Sequence, residues 1–256
     1  MSQGHLDGRA VVFIHGIGGS ARAWSGQVAS FLAAGFAPVA VDLPGYGGRP
    51  PVSALDFEGM AEDVEDFMAA GGILRPVLVG HSMGGMVAQT LLRRRPEGYA
   101  AAVLACTSPA FGSADGAFQR KFVADRLGAL DAGETMAELA PRMVERMIGP
   151  RPDAAGRAHA VDVMRRVPAD TYRAAVRCLV TFDERANLAR ITTPVLCLAG
   201  ENDPNAPPPV VERMAARIAA AEYVCLPSVG HLPNLEAPVA FNQAVLGFLS
   251  KVTSRP

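Results

Sequence analysis

The 256-residue sequence predicts an α/β fold: a mostly parallel sheet flanked by helices, interrupted once by an all-helical segment. Three observations carry this expectation. Short, continuous apolar runs recur along the chain and alternate with helical stretches. Runs that are apolar at every position suit strands buried on both faces, as parallel strands are. The alternation stops between about residues 108 and 190, where the apolar spacing is helical, and then resumes.

Val11-Val12-Phe13-Ile14 opens the series, giving a strand over 10–14. Further strands are expected at 37–41, 76–80, 101–105, 194–199 and 222–226. Helices are expected near 21–34, 55–70, 83–95, 208–219 and 237–250. Within the interruption, apolar residues repeat at helical intervals: Phe118, Phe122, Leu127 and Leu130, then Met136, Leu139, Met143 and Met147. Val161 with Met164, and Tyr172 with Val176 and Leu179, continue the pattern. Pro141, Pro150, Pro152 and Pro168 are read as lying near helix starts and ends. The chain therefore divides into a core, residues 1–107 and 191–256, and a helical lid, residues 108–190, placed to roof the strand ends.

Gly80-His81-Ser82-Met83-Gly84 follows the apolar run Val77-Leu78-Val79 and precedes the helical stretch Met86–Leu92. A G-x-S-x-G sequence between strand and helix is the setting of a nucleophilic serine. The small residues let helix and strand pack closely around a strained turn that exposes the hydroxyl. A serine hydroxyl needs a base to take its proton. Five histidines are available: His5, His15, His81, His159 and His231. His5 lies in an unpatterned terminus, and His159 in a polar helix that reads as solvated. His81 is expected to point away from its neighbour Ser82, and His15 to brace a glycine loop. His231 remains, in a loop between the last strand and the last helix.

A triad acid holds the histidine tautomer. Strand 194–199 runs into Gly200-Glu201-Asn202-Asp203, so Asp203 is the leading candidate and Glu201 its local rival. The strand after the nucleophile helix ends Cys106-Thr107-Ser108 and carries no carboxylate. The loop His15-Gly16-Ile17-Gly18-Gly19 turns backbone N–H groups toward the cleft, so the N–H groups of Ile17 and Met83 are the expected oxyanion donors. Its spacing fits neither dinucleotide nor P-loop glycine patterns. Asp42, in Asp42-Leu43-Pro44-Gly45, is expected to shape a loop.

Lys and Arg number 24 against 25 Asp and Glu, a formal net charge of −1, which points to neither nucleic acid nor a membrane surface. Cys106, Cys178, Cys197 and Cys225 are scattered through apolar runs, without metal-ligand spacing, and read as reduced core thiols. No signal-peptide pattern or long apolar span is evident, so a cytoplasmic protein is expected. Nothing in the sequence sets an oligomeric state.

Taken together, these motifs, with Gly230-His231, Glu236 and Pro238, resemble the α/β-hydrolase superfamily in its esterase and lactonase branch. The chain is similar to 3-oxoadipate enol-lactonases and to the carrier-protein methyl ester esterase of biotin synthesis. The resemblance implies an α/β-hydrolase fold with a four-helix lid. It implies a Ser82–His231–Asp203 triad, preferring Asp203 to Glu201, that cleaves a small carboxylic ester or lactone without metal or organic cofactor. Many relatives carry two strands before the first glycine loop; nine residues precede Ala10 here, so that edge is either trimmed or supplied by one short strand in residues 1–8. Phe111, Met136, Met143 and Met147, with Met164, are expected to include the walls of an acyl pocket. Arg120, Arg126 and Arg146 are candidates for a substrate carboxylate, though a solvated face is the default for such residues. Other functions fit the same residues: a carbon–carbon bond hydrolase of ring-cleavage products, a cofactor-free perhydrolase, or a non-catalytic ligand receptor on the same fold.

Overall fold

A computed structural model describes residues 8–112 and 116–253. Among the described residues, six strands form one sheet in the order β2-β1-β3-β4-β5-β6, and every neighbouring pair is parallel. They are β1 (Ala10–Ile14), β2 (Ala37–Val41), β3 (Val77–His81), β4 (Ala101–Ala105), β5 (Val195–Gly200) and β6 (Ala221–Leu226). Each lies within one residue of its expected place. The proposed extra strand in residues 1–8 falls almost wholly outside the described residues.

Helices cover both faces. On one side, α1 (Ser25–Ala33) and α10 (Pro238–Thr253) pack against Val11, Phe13, Val79, Val103 and Leu198 through Phe31, Phe241 and Val245. On the other, α2 (Phe57–Ala70), α3 (Met83–Arg94) and α8 (Pro208–Ala215) cover Val12, Ile14, Leu78 and Leu104. Alternate residues of each strand thus feed opposite layers, and β1, β3, β4 and β5 are buried at every position.

Among the described residues between β4 and β5 stand four α-helices, α4 (Ala117–Asp131), α5 (Met136–Glu145), α6 (Ala154–Met164) and α7 (Ala169–Leu179), and a short 3₁₀ turn, Leu188–Arg190. Thr135 and Glu138 close a reciprocal capping box at the start of α5, while Asp153 caps α6. The buried residues of this segment share one apolar cluster with α2 and α3.

Some boundaries differ from expectation for local reasons. The stretch 21–34 begins as a 3₁₀ turn, Ala21–Trp24, before α1. The last helix is preceded by a single turn, α9 (Pro233–Glu236), because Pro238 has no N–H with which to continue it. Pro141 lies inside α5 rather than at its edge, at the cost of one ladder hydrogen bond. No described helix is long and apolar enough to cross a membrane.

Candidate active site

The order of the strands already places a site. From β1 the chain steps outward to β2, then returns to β3 on the other side of β1. The connections leaving the carboxyl ends of β1 and β3 therefore diverge and leave a crevice. The loop after β1 is His15–Gly19, and Ser82 stands directly after β3.

Ser82 has φ 53° and ψ −117°, a strained conformation for a residue with a side chain. Its surroundings enforce it. Ser82 N–H donates to the Ala105 carbonyl at 2.9 Å, and the Thr107 hydroxyl donates to the Ser82 carbonyl at 2.8 Å. A side chain on Gly80 would collide with the Gly84 backbone, and one on Gly84 with the Ile14 carbonyl. Both glycines are thus required by the close passage of α3 over β1 and β3.

The structure joins Ser82, His231 and Asp203 in one hydrogen-bonded chain. Ser82 Oγ lies 3.0 Å from His231 Nε2. His231 Nδ1 lies 2.8 and 2.9 Å from the two Asp203 carboxylate oxygens. Asp203 also accepts from the N–H groups of Asn205 and Ala206 at 2.8 and 3.0 Å. Burial opposes its charge, but His231 and these donors outweigh that and hold its pKa below the ordinary value. Asp203 therefore keeps a negative charge beside His231 Nδ1. Glu201 instead accepts from the Ser228 N–H at 2.7 Å, while the ion pair of His231 is with Asp203.

The histidine loop is tied down from below. Buried Glu236 accepts three backbone N–H bonds, from Gly149 (2.6 Å), Gly230 (2.8 Å) and Leu232 (2.8 Å). The His231 N–H itself donates to the Met147 carbonyl at 2.7 Å. One carboxylate thus fastens the loop around His231 to the α5–α6 connection.

Two other histidines hold the surroundings. His15 Nδ1–H donates to the Gly16 carbonyl at 2.8 Å, while Nε2 accepts from Leu43 N–H at 3.1 Å. Burial lowers its pKa to about 4, so it stays neutral and braces the glycine loop as expected. His81 departs from expectation. It turns toward the site rather than away, and its Nε2–H donates to the His231 carbonyl at 2.6 Å. Burial, reinforced by nearby His231, lowers its pKa to about 3. His159 is half-buried and contacts the Arg22 carbonyl at 2.9 Å, so it is not simply solvated. Asp42 accepts from Ala21 N–H at 2.7 Å and shapes its loop.

The N–H groups of Ile17, in the loop after β1, and of Met83, next to Ser82 in sequence, have no hydrogen-bond acceptor among the described residues. Met83 is the first residue of α3, where unpaired N–H groups and the helix dipole favour a negative charge. Cys106, at the end of β4, is buried against the Gly230 carbonyl; burial and then Asp203 push its thiol pKa well up.

A cavity of about 330 Å³ opens over Ser82 and His231. Its floor is the His15–Gly19 loop, and its walls are largely apolar. Phe111, Met143 and Met147 line it, as does Met164, which packs over Gly18. Met136 does not: it is buried within the helical segment, because its turn of α5 faces the neighbouring helices. Of the three candidate arginines, Arg126 lines the cavity, while Arg120 and Arg146 are exposed. The role of Glu236 had a weak sequence signal, a lone acid within an apolar loop just before Pro238. The inward turn of His81 had none.

Comparison with known proteins gives this arrangement a family. The chain belongs to the α/β hydrolase family, whose model matches residues 11–244. It is 33% identical, over 98% of its length and 95% of the relative's, to a Variovorax paradoxus protein named "Putative carbamate hydrolase RutD". It is 30% identical to the pimeloyl-[acyl-carrier protein] methyl ester esterase of Sodalis glossinidius, covering 94% of this chain and 93% of that one. Among solved structures it resembles the enol-lactonase from Burkholderia xenovorans LB400, with a TM-score of 0.84 and 26% identity over 96% of this chain and 93% of the other.

Proposed function

We propose that this protein is a serine hydrolase that cleaves a small carboxylic ester or lactone through an acyl-enzyme. The carrying observation is the continuous relay from Ser82 Oγ through His231 to Asp203, at 3.0 Å and then 2.8 Å, beneath an apolar cavity. Names of relatives support the same class: a methyl ester esterase, an enol-lactonase and a carbamate hydrolase.

In this reading His231 Nε2 takes the Ser82 proton as Oγ attacks the carbonyl carbon. The carbonyl oxygen becomes an oxyanion held by the N–H groups of Ile17 and Met83. Asp203 stabilises the imidazolium and fixes its tautomer. His231 then gives its proton to the leaving alkoxide, and the carbon–oxygen bond of the ester breaks. A water, deprotonated by His231, attacks the acyl-enzyme; the acid product leaves and Ser82 regains its proton. Glu236 and His81 act on His231 only as positioning residues.

Residues 108–190 act in this account as a cap that sets substrate choice. Phe111, Met143, Met147 and Met164 supply its apolar contacts, and the strand ends supply the chemistry. The test is a panel of p-nitrophenyl esters of rising chain length, run beside an enol-lactone and a phenyl carbamate. Hydrolysis of at least one acyl class with saturation kinetics is expected. Turnover of none, in a folded sample, would contradict the proposal.

A further inference from the structure

Cys106 adjoins the triad but takes no part in the chemistry above. It stands just after β4 with φ 48°, in the left-handed region that a residue with a side chain seldom occupies. Its N–H donates to the Leu198 carbonyl at 2.8 Å, and its Sγ lies 3.9 Å from the Gly230 carbonyl. Strain of this kind persists only where neighbours over-determine it. Here it turns the thiol toward the loop that carries His231.

Three kinds of metal ligand meet as a result. Cys106 Sγ, a carboxylate oxygen of Asp203 and a ring nitrogen of His231 all lie within 4.8 Å of one another, and all three residues are more than nine-tenths buried. The nitrogen facing Asp203 is Nδ1. Zinc bonds of about 2.3 Å to sulfur and about 2.0 Å to nitrogen or oxygen set the ligand atoms of a tetrahedral site roughly 3.3–3.6 Å apart. Sγ therefore has to move in by no more than about 1.5 Å, and Asp203 to ease from Nδ1 by about 0.5 Å. Thiolate, imidazole and one carboxylate suit a borderline-soft cation; Mg²⁺ and Ca²⁺, which take oxygen ligands, are poorly served. The charges of Asp203 and Glu236 both act on this thiol, so the spot is set to receive a dication. Cys106 and His231 also line the cavity, which gives the cation its way in.

We propose that Cys106, Asp203 and His231 form an inhibitory site for a thiophilic divalent cation of the zinc and cadmium kind. The site rests on geometry; its effect on turnover rests on the hydrolase reading above. On binding, the thiol proton leaves to solvent and the cation takes the Nδ1 lone pair. The single proton of the neutral imidazole then sits on Nε2, so His231 meets Ser82 as a donor and cannot take its proton. Asp203 is drawn to the cation at the same time. Because Nδ1 faces away from Ser82, the cation sits beneath the cavity, and the loss falls on kcat rather than on KM.

Two measurements test this. The first is ultraviolet titration of the Ser82→Ala protein with Cd²⁺. A thiolate-to-cadmium charge-transfer band that saturates at one ion per chain is expected, and it is expected to vanish when Cys106→Ala is added. Cys178, Cys197 and Cys225 remain in that double variant, so a band that survives there places the ion elsewhere and overturns the site; no band at all in Ser82→Ala overturns it too. The second is inhibition of ester hydrolysis by Zn²⁺, with Mg²⁺ in parallel, each protein being compared with its own metal-free rate. Zn²⁺ is expected to lower kcat at unchanged KM, and Mg²⁺ to leave both unchanged. Cys106→Ala is expected to raise the Zn²⁺ concentration for half-inhibition by about 100-fold, since a direct ligand is worth at least as much as an outer partner. Cys106→Ser, closer in size, is expected to shift it in the same direction and serves where the alanine variant does not fold. Equal inhibition of wild type and variants, an effect on KM alone, or equal inhibition by Mg²⁺ would each overturn the proposal. A wild-type protein that cleaves no ester and is not labelled at Ser82 by a fluorophosphonate would instead sink the hydrolase reading, and the cadmium band would still decide the site.

Discussion

The strand-end loops and the helical segment above them are held together by different forces. Around His231 the chain is fixed by charge and backbone: Asp203 beside the imidazole, and Glu236 gathering three N–H groups. Across the cavity the wall is made of side chains: Phe and Met packed on one another, with one guanidinium among them. Directional bonds with few alternatives fix the first region. The second is held by contacts that are roughly proportional to area and tolerate repacking. The difference teaches where each property of the protein resides. On the proposed function, reaction chemistry belongs to the rigid loops, and substrate choice to the adaptable wall.

Breaking the rigid region should cost most. Asp203→Asn is expected to lower kcat by about 10²–10⁴-fold, because the amide favours the wrong His231 tautomer. Glu201→Gln, which loses only a bond to Ser228 N–H, should be mild. Steady-state kinetics of the two variants check this, and the reverse ranking would assign the acid role to Glu201.

Changes in the wall should be smaller and selective. Met143→Ala and Met147→Ala enlarge the cavity and are expected to shift the preferred acyl length, by about 1–3 kcal/mol per mismatched methylene. Met136→Ala is expected to leave the length profile unchanged while losing about 2–5 kcal/mol of stability, as a buried side chain away from the cavity. Chain-length profiles and urea midpoints of the three proteins separate the two effects. A profile shift in Met136→Ala alone would invert the assignment of the wall.

How far each region was legible follows the same division. The serine turn, the glycine loop and the order Ser82, Asp203, His231 are local patterns, each demanded by backbone geometry within a few residues. Buried strands announce themselves by composition. Periodicity reveals the four helices but not how far along α5 the cavity reaches, so Met136 and Met143, seven residues apart on one face, look alike although only Met143 lines the cavity. The inward turn of His81 depends on the His231 carbonyl 150 residues away, which no local pattern encodes. Arg126 resembled any other arginine on a charged helix until the cavity was seen to take the face that carries it.

A further effect concerns acid. The His15 pKa is about 4 when folded, against an ordinary 6.5, because burial disfavours its charge and outweighs the opposing pull of the Gly16 carbonyl and Asp42. Between those pH values the unfolded chain binds a proton that the folded protein refuses. Stability should therefore fall as pH drops from 6.5 toward 4, by a contribution on the order of 2–3 kcal/mol from this residue. His15→Gln keeps a donor and an acceptor without titrating, and should flatten the slope of urea midpoint against pH in that window. An identical slope in both proteins would remove His15 from the account.

The central claim is that Ser82 is the nucleophile. Intact-mass measurement after exposure to a fluorophosphonate tests it most directly, with kinetics of the Ser82→Ala variant alongside. One phosphonyl adduct per chain, mapped to Ser82 and absent from the variant, is predicted, with kcat for the best ester reduced by about 10³-fold or more in Ser82→Ala. Full labelling at another residue, or near-wild-type ester hydrolysis by the variant, would contradict it.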